Sequence, residues 1–155
     1  MRHRYLFTLE VTPTGIGKAY DELPSHLTLM SRFFSRLSPT ELIEVVRPML
    51  EQTAPIELTF GKTAELGPKK LVVHLIEHTK ELKQLHNRLR LLLDSTSVEY
   101  EYPQFVGAKH KPHVTKREGV KYEAGNKLIT NHAYLIEIVD ERRVIRSRLK
   151  LGEQT

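Results

Sequence analysis

The order of secondary-structure elements restricts the fold more than any single motif in this sequence. Apolar periodicity predicts the following elements in chain order: strands over 4–11 and 25–34, a helix beginning at Ser38, strands over 56–60 and 71–76, a helix over 77–93, and strands at Val114, 128–139 and 144–151. A strand–strand–helix run is therefore followed by a second run of the same kind. This order predicts an α+β domain of two similar halves and argues against the alternating βαβ order of a doubly wound sheet.

The start of the first helix has a clear local signal. Ser38 can cap the helix, Pro39 suits its first turn, and Glu41 completes a capping box. Pro48 lies within the apolar stripe that follows, so we expect the last turn to be kinked or frayed.

Length and composition indicate a single soluble domain spanning residues 1–155. A chain of this length can bury a hydrophobic core without covalent cross-links. The absence of cysteine excludes disulfides, thiolate nucleophiles and cysteine-ligated metal centres. Because no signal-peptide segment or long apolar run is found, we expect a cytoplasmic protein without membrane contact.

The positive charge is concentrated near the C-terminal end of the chain. Residues 1–108 hold 13 basic and 13 acidic residues, whereas residues 109–150 hold 11 basic and 5 acidic residues. Such a segment suits either an anionic partner or a solvated surface. Arg146 and Arg148 share strand parity and are expected to face one way, joined by Arg142 if no bulge intervenes.

Histidine is the residue type that could supply catalytic groups or metal ligands, since the chain has eight histidines. His74 and His78 are four residues apart, a spacing that would place both on one face of a helix as a pair of metal ligands. A strand-to-helix boundary is expected between them, however, and no HExxH pattern is present. No metal site is therefore predicted. Instead, a short pattern occurs twice. His26-Leu27-Thr28-Leu29 and His113-Val114-Thr115-Lys116 both read His-apolar-Thr, each with a proline within two residues upstream.

Strand geometry gives this duplication a structural meaning. Residues i and i+2 of a strand share a face, so His26 and Thr28 point together, as do His113 and Thr115. Two such strands placed side by side present two imidazoles and two hydroxyls to one cleft.

These tetrads resemble the signature of the two-histidine (2H) phosphoesterase superfamily, which includes bacterial and archaeal 2′-5′ RNA ligases. The first tetrad matches the His-h-Thr/Ser-h pattern fully, where h is hydrophobic, and the second departs from it only at Lys116. Arg117 lies near the place where the family often has an arginine. The resemblance implies a bilobal, duplicated α+β fold, with two antiparallel sheets lining a central cleft and the helices outside.

The resemblance also implies a metal-independent phosphodiesterase that needs no cofactor. It would act as a monomer and open 2′,3′-cyclic phosphates at RNA ends, or ligate RNA in the reverse direction. His26, Thr28, His113 and Thr115 are the implied catalytic residues. The candidate substrate-binding residues are Phe7, His110, Lys116 and Arg117.

The chemistry of histidine is consistent with this implication, because an ordinary pKa of about 6.5 lets one imidazole act as base and another as acid near neutral pH. The threonine hydroxyls can donate to phosphate oxygens that gain charge in the transition state. Two alternatives stay open at this point: a phosphodiesterase for small cyclic nucleotides, and a non-catalytic RNA-binding module.

Overall fold

A computed structural model describes residues 2–117 and 121–152 of the chain. In these residues it contains the following strands: β1 (His3–Glu10), β2 (Ala19–Tyr20), β3 (His26–Ser35), β4 (Ile56–Leu66), β5 (Leu71–Ile76), β6 (Glu99–Tyr100), β7 (His113–Thr115), β8 (Lys127–Thr130), β9 (His132–Val139) and β10 (Arg142–Lys150). The α-helices are α1 (Pro39–Glu51) and α2 (Lys80–Ser95). Two short 3-10 helices, Pro103–Phe105 and Gly107–Lys109, precede β7. Neither α-helix is long and apolar enough to cross a membrane.

The strands pair in the order β2-β10-β9-β1-β3-β7-β5-β4-β8, with β6 added to β3, and the pairs are antiparallel. The predicted α+β class is confirmed. The two expected sheets are joined into one path because the three-residue β7 pairs with β3 on one side and β5 on the other. The β3–β7 link consists of the single pair Leu27–Val114. We call this link the seam.

The predicted start signal of the first helix is confirmed, whereas the predicted start of the second helix is wrong. The Ser38 hydroxyl accepts from the Glu41 amide, and the Glu41 carboxylate accepts from the Ser38 amide, which completes the capping box of α1. The helix continues past Pro48 to Glu51. In α2 the Thr79 hydroxyl accepts from the Leu82 amide, so the helix begins three residues later than the apolar pattern predicts.

The main core lies on the face of the sheet that the helices cover. Strand β1 contributes Tyr5, Phe7 and Leu9 to this core, and α2 contributes a stripe of leucines. Thr8 alternates with these residues and belongs to the opposite face. The threonines and histidines of the two tetrads share that opposite face, which we call the site face.

The predicted strand over 128–139 is wrong in one respect, because the chain is divided at Asn131 into β8 and β9. Strand β8 pairs with β4, whereas β9 pairs with β1 and β10. At this residue the chain passes from the strand group that contains β4, β5, β7 and β8 to the strand group that contains β1, β2, β3, β9 and β10. Apolar periodicity carries no information about such a crossing.

Candidate active site

The two tetrads meet at the seam. Leu27 and Val114 are directly paired and fully buried, so the residues that flank them project from the other face. The antiparallel register places His26 opposite Thr115 and Thr28 opposite His113. The two histidines are diagonal neighbours, for which Cα atoms are typically about 7–8 Å apart. The structure thus brings all four predicted catalytic residues to one position on the sheet.

Both histidines are oriented by the same local hydrogen bond. The Nδ1 atom of His26 lies 2.8 Å from the carbonyl oxygen of Pro24, and that of His113 lies 2.9 Å from the carbonyl oxygen of Lys111. A carbonyl only accepts, so each Nδ1 carries the proton in the neutral ring. Each Nε2 is then the atom that can exchange a proton with a ligand.

The environment of His26 favours the neutral imidazole. Burial lowers the pKa of His26 to about 4, and the nearby Arg117, His113 and Arg143 act in the same direction. Burial, the largest of these causes, outweighs the hydrogen bond to the Pro24 carbonyl, which raises the pKa. His26 is therefore unprotonated at neutral pH in the free protein.

A further hydroxyl lies beside the tetrads and was missed by the sequence analysis. Thr8 pairs with Thr28 across β1 and β3 and is 0% exposed. Its Oγ1 has no hydrogen-bond partner among residues 2–117 and 121–152. The alternation of β1 places Thr8 opposite the apolar face, but only the strand register shows that it is next to Thr28.

Arg117, a predicted substrate-binding residue, lies near enough to His26 for its charge to lower the pKa of that imidazole. Its Nε donates to the Leu23 carbonyl at 3.2 Å. The side chain also lines an open pocket of about 320 Å³ formed with Thr12, Tyr20, Glu22, Leu23, Pro24 and Ser25. Lys116 is exposed, and its backbone amide donates to Val72, but no contact of its side chain with the site is observed in the described part of the chain.

Two predicted substrate-binding residues are located elsewhere. Phe7 is 0% exposed and stacks on Phe33 within the core, so the prediction that it contacts substrate is wrong. His110 is 8% exposed and stacks on the buried His86, with ring centroids 4.1 Å apart. Its Nε2 donates to the Thr28 carbonyl at 3.0 Å, so His110 supports the backbone of the first tetrad and is not placed to bind substrate.

The expectation that Arg146 and Arg148 face one way is also wrong. A β-bulge between Ile145 and Ser147 inverts the alternation at this point. Arg146 donates to Glu137 at 2.8 Å, whereas Arg148 donates to Glu10 on the site face at 2.8 Å. Arg142 donates instead to the Asp21 carboxylate. Much of this predicted basic surface is therefore paired with carboxylates.

The histidines considered for metal binding are also separated. His74 is buried in β5, and His78 lies in the loop before α2, as the predicted boundary between them requires. In the residues that the structure describes, no group of three or more histidines, aspartates or glutamates is arranged to hold a metal ion.

Comparison with solved structures shows similarity over nearly the whole chain. Escherichia coli LigT complexed with 3′-AMP superposes with a TM-score of 0.66 at 15% identity, covering 99% of this chain and 100% of that one. A structure described only as a phosphoesterase gives a TM-score of 0.62 at 16% identity, covering 99% and 100%. The TT0787 protein of Thermus thermophilus gives 0.61 at 15% identity, covering 98% and 100%. At these identities the likeness establishes the fold.

No curated protein matches the sequence significantly. The sequence does match the 2′-5′ RNA ligase superfamily over residues 9–147, a range that includes both tetrads and most of the chain. The resemblance noted from the tetrads is thereby confirmed, and the chain belongs to the 2′-5′ RNA ligase superfamily.

Proposed function

We propose that this protein is a cytoplasmic, monomeric phosphodiesterase that opens 2′,3′-cyclic phosphates at RNA ends with His26 and His113 as its acid–base pair. The observation that carries the proposal is the seam, where two imidazoles with equivalent Nδ1–carbonyl hydrogen bonds belong to diagonal neighbours of paired strands. Binding alone does not require two imidazoles whose Nε2 atoms make no hydrogen bond among residues 2–117 and 121–152, which favours catalysis over a passive RNA-binding module.

The lowered pKa of His26 supports its assignment as the general base. In the proposed step, His26 Nε2 takes a proton from water while the water oxygen forms a bond to phosphorus. One ring P–O bond breaks, and protonated His113 gives its Nε2 proton to the departing ribose oxygen. The product is a phosphomonoester. With a ribose 5′-hydroxyl in place of water, the same proton transfers support ligation. His26 Nε2 takes the proton of the 5′-hydroxyl while its oxygen bonds to phosphorus, and His113 gives its proton to the ribose 3′-oxygen as that ring P–O bond breaks, which leaves a 2′-5′ linkage.

The threonines are proposed to stabilise charge that develops on phosphorus-bound oxygens. Thr28 lies beside His113 and Thr115 beside His26, so each hydroxyl is adjacent to one proton-transfer group. Arg117, beside the pocket, supplies a positive charge to the same anion.

The proposal is tested with an oligonucleotide that ends in a 2′,3′-cyclic phosphate, incubated with the protein in EDTA. We expect conversion to a phosphomonoester, with the isomer identified by chromatography, because imidazoles can perform both proton transfers. A 5′-hydroxyl acceptor strand in a parallel reaction tests ligation. Turnover of cyclic mononucleotides alone would favour the small-nucleotide alternative, and no turnover of either substrate would contradict the proposal.

Removing one threonine hydroxyl is expected to slow catalysis less than removing a histidine. Thr28→Val or Thr115→Val should lower kcat by roughly tenfold to a hundredfold, as for the loss of one transition-state donor. Thr28→Ser and Thr115→Ser serve as controls, since they retain the hydroxyl and should retain most activity. Full kcat in either valine variant would exclude the proposed role of that hydroxyl.

A further inference from the structure

Three arginines from different strands are grouped on the site face, away from the histidines. Arg4 of β1 donates to Glu101 at 2.7 Å and to Glu141 at 3.3 Å. Arg32 of β3 lies 3.8 Å from the other oxygen of Glu101. Arg143 of β10 donates to the backbone carbonyl of Glu141 at 3.2 Å. The two glutamates therefore join the three guanidinium groups into one cluster, which we call the arginine cluster.

Arg4 donates most of the hydrogen bonds that the carboxylates of this cluster accept. Glu101 accepts from Arg4 through both of its oxygens, at 2.7 and 2.9 Å, and Glu141 accepts from the same guanidinium. Among the residues that the structure describes, Arg32 has only the longer contact with Glu101. Arg143 Nη1 donates to the backbone carbonyl oxygens of Asp21 and Glu141, and in the described ranges no carboxylate pairs with it.

Arg32 and Arg143 are thus held near each other, and the Glu141 and Asp21 carboxylates act on Arg143 at longer range than an ion pair. Burial lowers the pKa of Arg143, and the charge of Arg32 lowers it further. Bringing like charges together on a partly buried surface costs free energy, and a bound anion with several oxygens would offset that cost. Guanidinium groups in this setting suit a phosphate.

The arginine cluster lies on the same surface as the histidines. Arg32 and Phe34 flank the buried Phe33, so both project from the site face. Arg32 follows Thr28 on the same strand, in a stretch that contains two register shifts. Because Thr28 and Phe33 pair with Thr8 and Tyr5, the stretch spans three residues of β1, which corresponds to about 10 Å. Arg143 also contributes to the lowered pKa of His26, so its charge acts on the histidine region as well as belonging to the arginine cluster.

An exposed aromatic pair borders the arginine cluster. Tyr102 directly follows Glu101, whose backbone amide donates to the Arg32 carbonyl. The rings of Tyr102 and Phe105 lie 6.1 Å apart and are tilted by 44°. These residues are 36% and 53% exposed. Exposed aromatic rings beside cations are the surfaces on which single-stranded bases stack.

We propose that Arg32 and Arg143 bind a second, internal phosphate of an RNA strand whose cyclic phosphate lies at the histidines, with Tyr102 and Phe105 stacking a base of that strand. The inference rests on the proposed function and makes it more specific. A cyclic mononucleotide has one phosphate and cannot occupy both positions. The arginine cluster therefore selects oligonucleotide ends over cyclic mononucleotides.

The test is the ratio of kcat/KM for a cyclic-phosphate oligonucleotide to that for the matching cyclic mononucleotide. Arg32→Gln is expected to lower this ratio about tenfold, as for a lost charge-assisted contact. It should also reduce the slope of log KM against log salt for the oligonucleotide by about 0.7, the value for one single-strand phosphate contact. Phe105→Ala should lower the ratio at least about fivefold through lost stacking.

Arg88→Gln is the matched control, because Arg88 is an exposed residue of α2 and the substitution removes the same charge on the opposite side of the sheet. It should leave the ratio unchanged. Arg32→Lys retains the charge and should restore part of the ratio. Thermal unfolding of each variant shows whether a lowered ratio comes from a folded protein.

The inference would be overturned if the ratio of kcat/KM values were the same for Arg32→Gln, Arg88→Gln and the unchanged protein. The proposed function would be left intact by that result. If no substrate is turned over, the proposed function fails, and binding of a 3′-phosphorylated oligonucleotide still tests the arginine cluster by fluorescence anisotropy. An affinity that is the same for Arg32→Gln and Arg88→Gln would then overturn the inference on its own.

Discussion

Replacing His26 or His113 by alanine is expected to lower kcat/KM on a cyclic-phosphate oligonucleotide by at least about 10²-fold, because each substitution removes one of the two proton-transfer groups. The double variant should lose less than the product of the single losses, since base and acid act in the same step. Initial rates with product identification measure these effects.

The control for this experiment is His3→Ala. His3 Nδ1 donates a hydrogen bond to Glu137, and the ring stacks on Tyr5, away from the seam. We expect its activity to stay within a few-fold of the unchanged protein. Full activity of either seam variant would contradict the two-histidine mechanism.

The pH dependence of kcat/KM tests the assignment of His26 as base. This parameter reports the ionisation of the free enzyme. Since burial lowers the pKa of His26 to about 4, activity should persist as pH falls through 6 and decline only toward pH 4. A decline centred near pH 6.5 would show that an unperturbed imidazole is the base.

Acid is expected to destabilise the fold through His110. Burial and the stacked His86 lower the pKa of His110 to about 4, whereas an unfolded chain has a histidine pKa near 6.5. Below pH 6.5 the unfolded state binds a proton that the folded state does not. The stabilisation is therefore complete above pH 6.5 and is lost as pH falls to 4, by about 3 kcal/mol at about 1.4 kcal/mol for each pKa unit.

Urea unfolding at pH 7 and at pH 4 measures this loss. His110→Phe removes the titrating ring and should reduce the difference between the two pH values by about 3 kcal/mol. The variant also leaves the Thr28 carbonyl without its donor, so it should be less stable at pH 7 by about 1–3 kcal/mol. Leu85→Ala in α2 is the control, because it should lower stability at both pH values while preserving their difference. An undiminished pH difference in His110→Phe would contradict this assignment.

Local chemistry explains which parts of the structure the sequence could predict. Three kinds of feature depend on residues close in sequence. They are the capping box at Ser38 and Glu41, the strands around Leu27 and Leu71–Ile76, and the leucine stripe of α2. The shared parity of His26 and Thr28 depends only on the two-residue repeat of a strand, so the tetrads could be recognised before any partner strand was known.

The errors arise where neighbouring strands decide the outcome. Phe7 is predicted to contact substrate, but pairing with β3 and β9 fixes the face on which it is buried. The bulge before Ser147 separates Arg146 from Arg148, and its position follows from pairing with β9. Arg32 joins the arginine cluster only because β1, β3 and β10 are brought together, although no short motif marks it.

The single residue pair at the seam has a consequence for when activity can arise. His26 comes from a strand group that also includes β9 and β10, whereas His113 comes from β7, which pairs with β5 of the other group. A chain in which only one group has formed holds a lone imidazole and cannot perform both proton transfers. The proposed two-histidine chemistry would thus arise only when the long-range assembly of the sheet is complete, and it would be lost as soon as the seam opens.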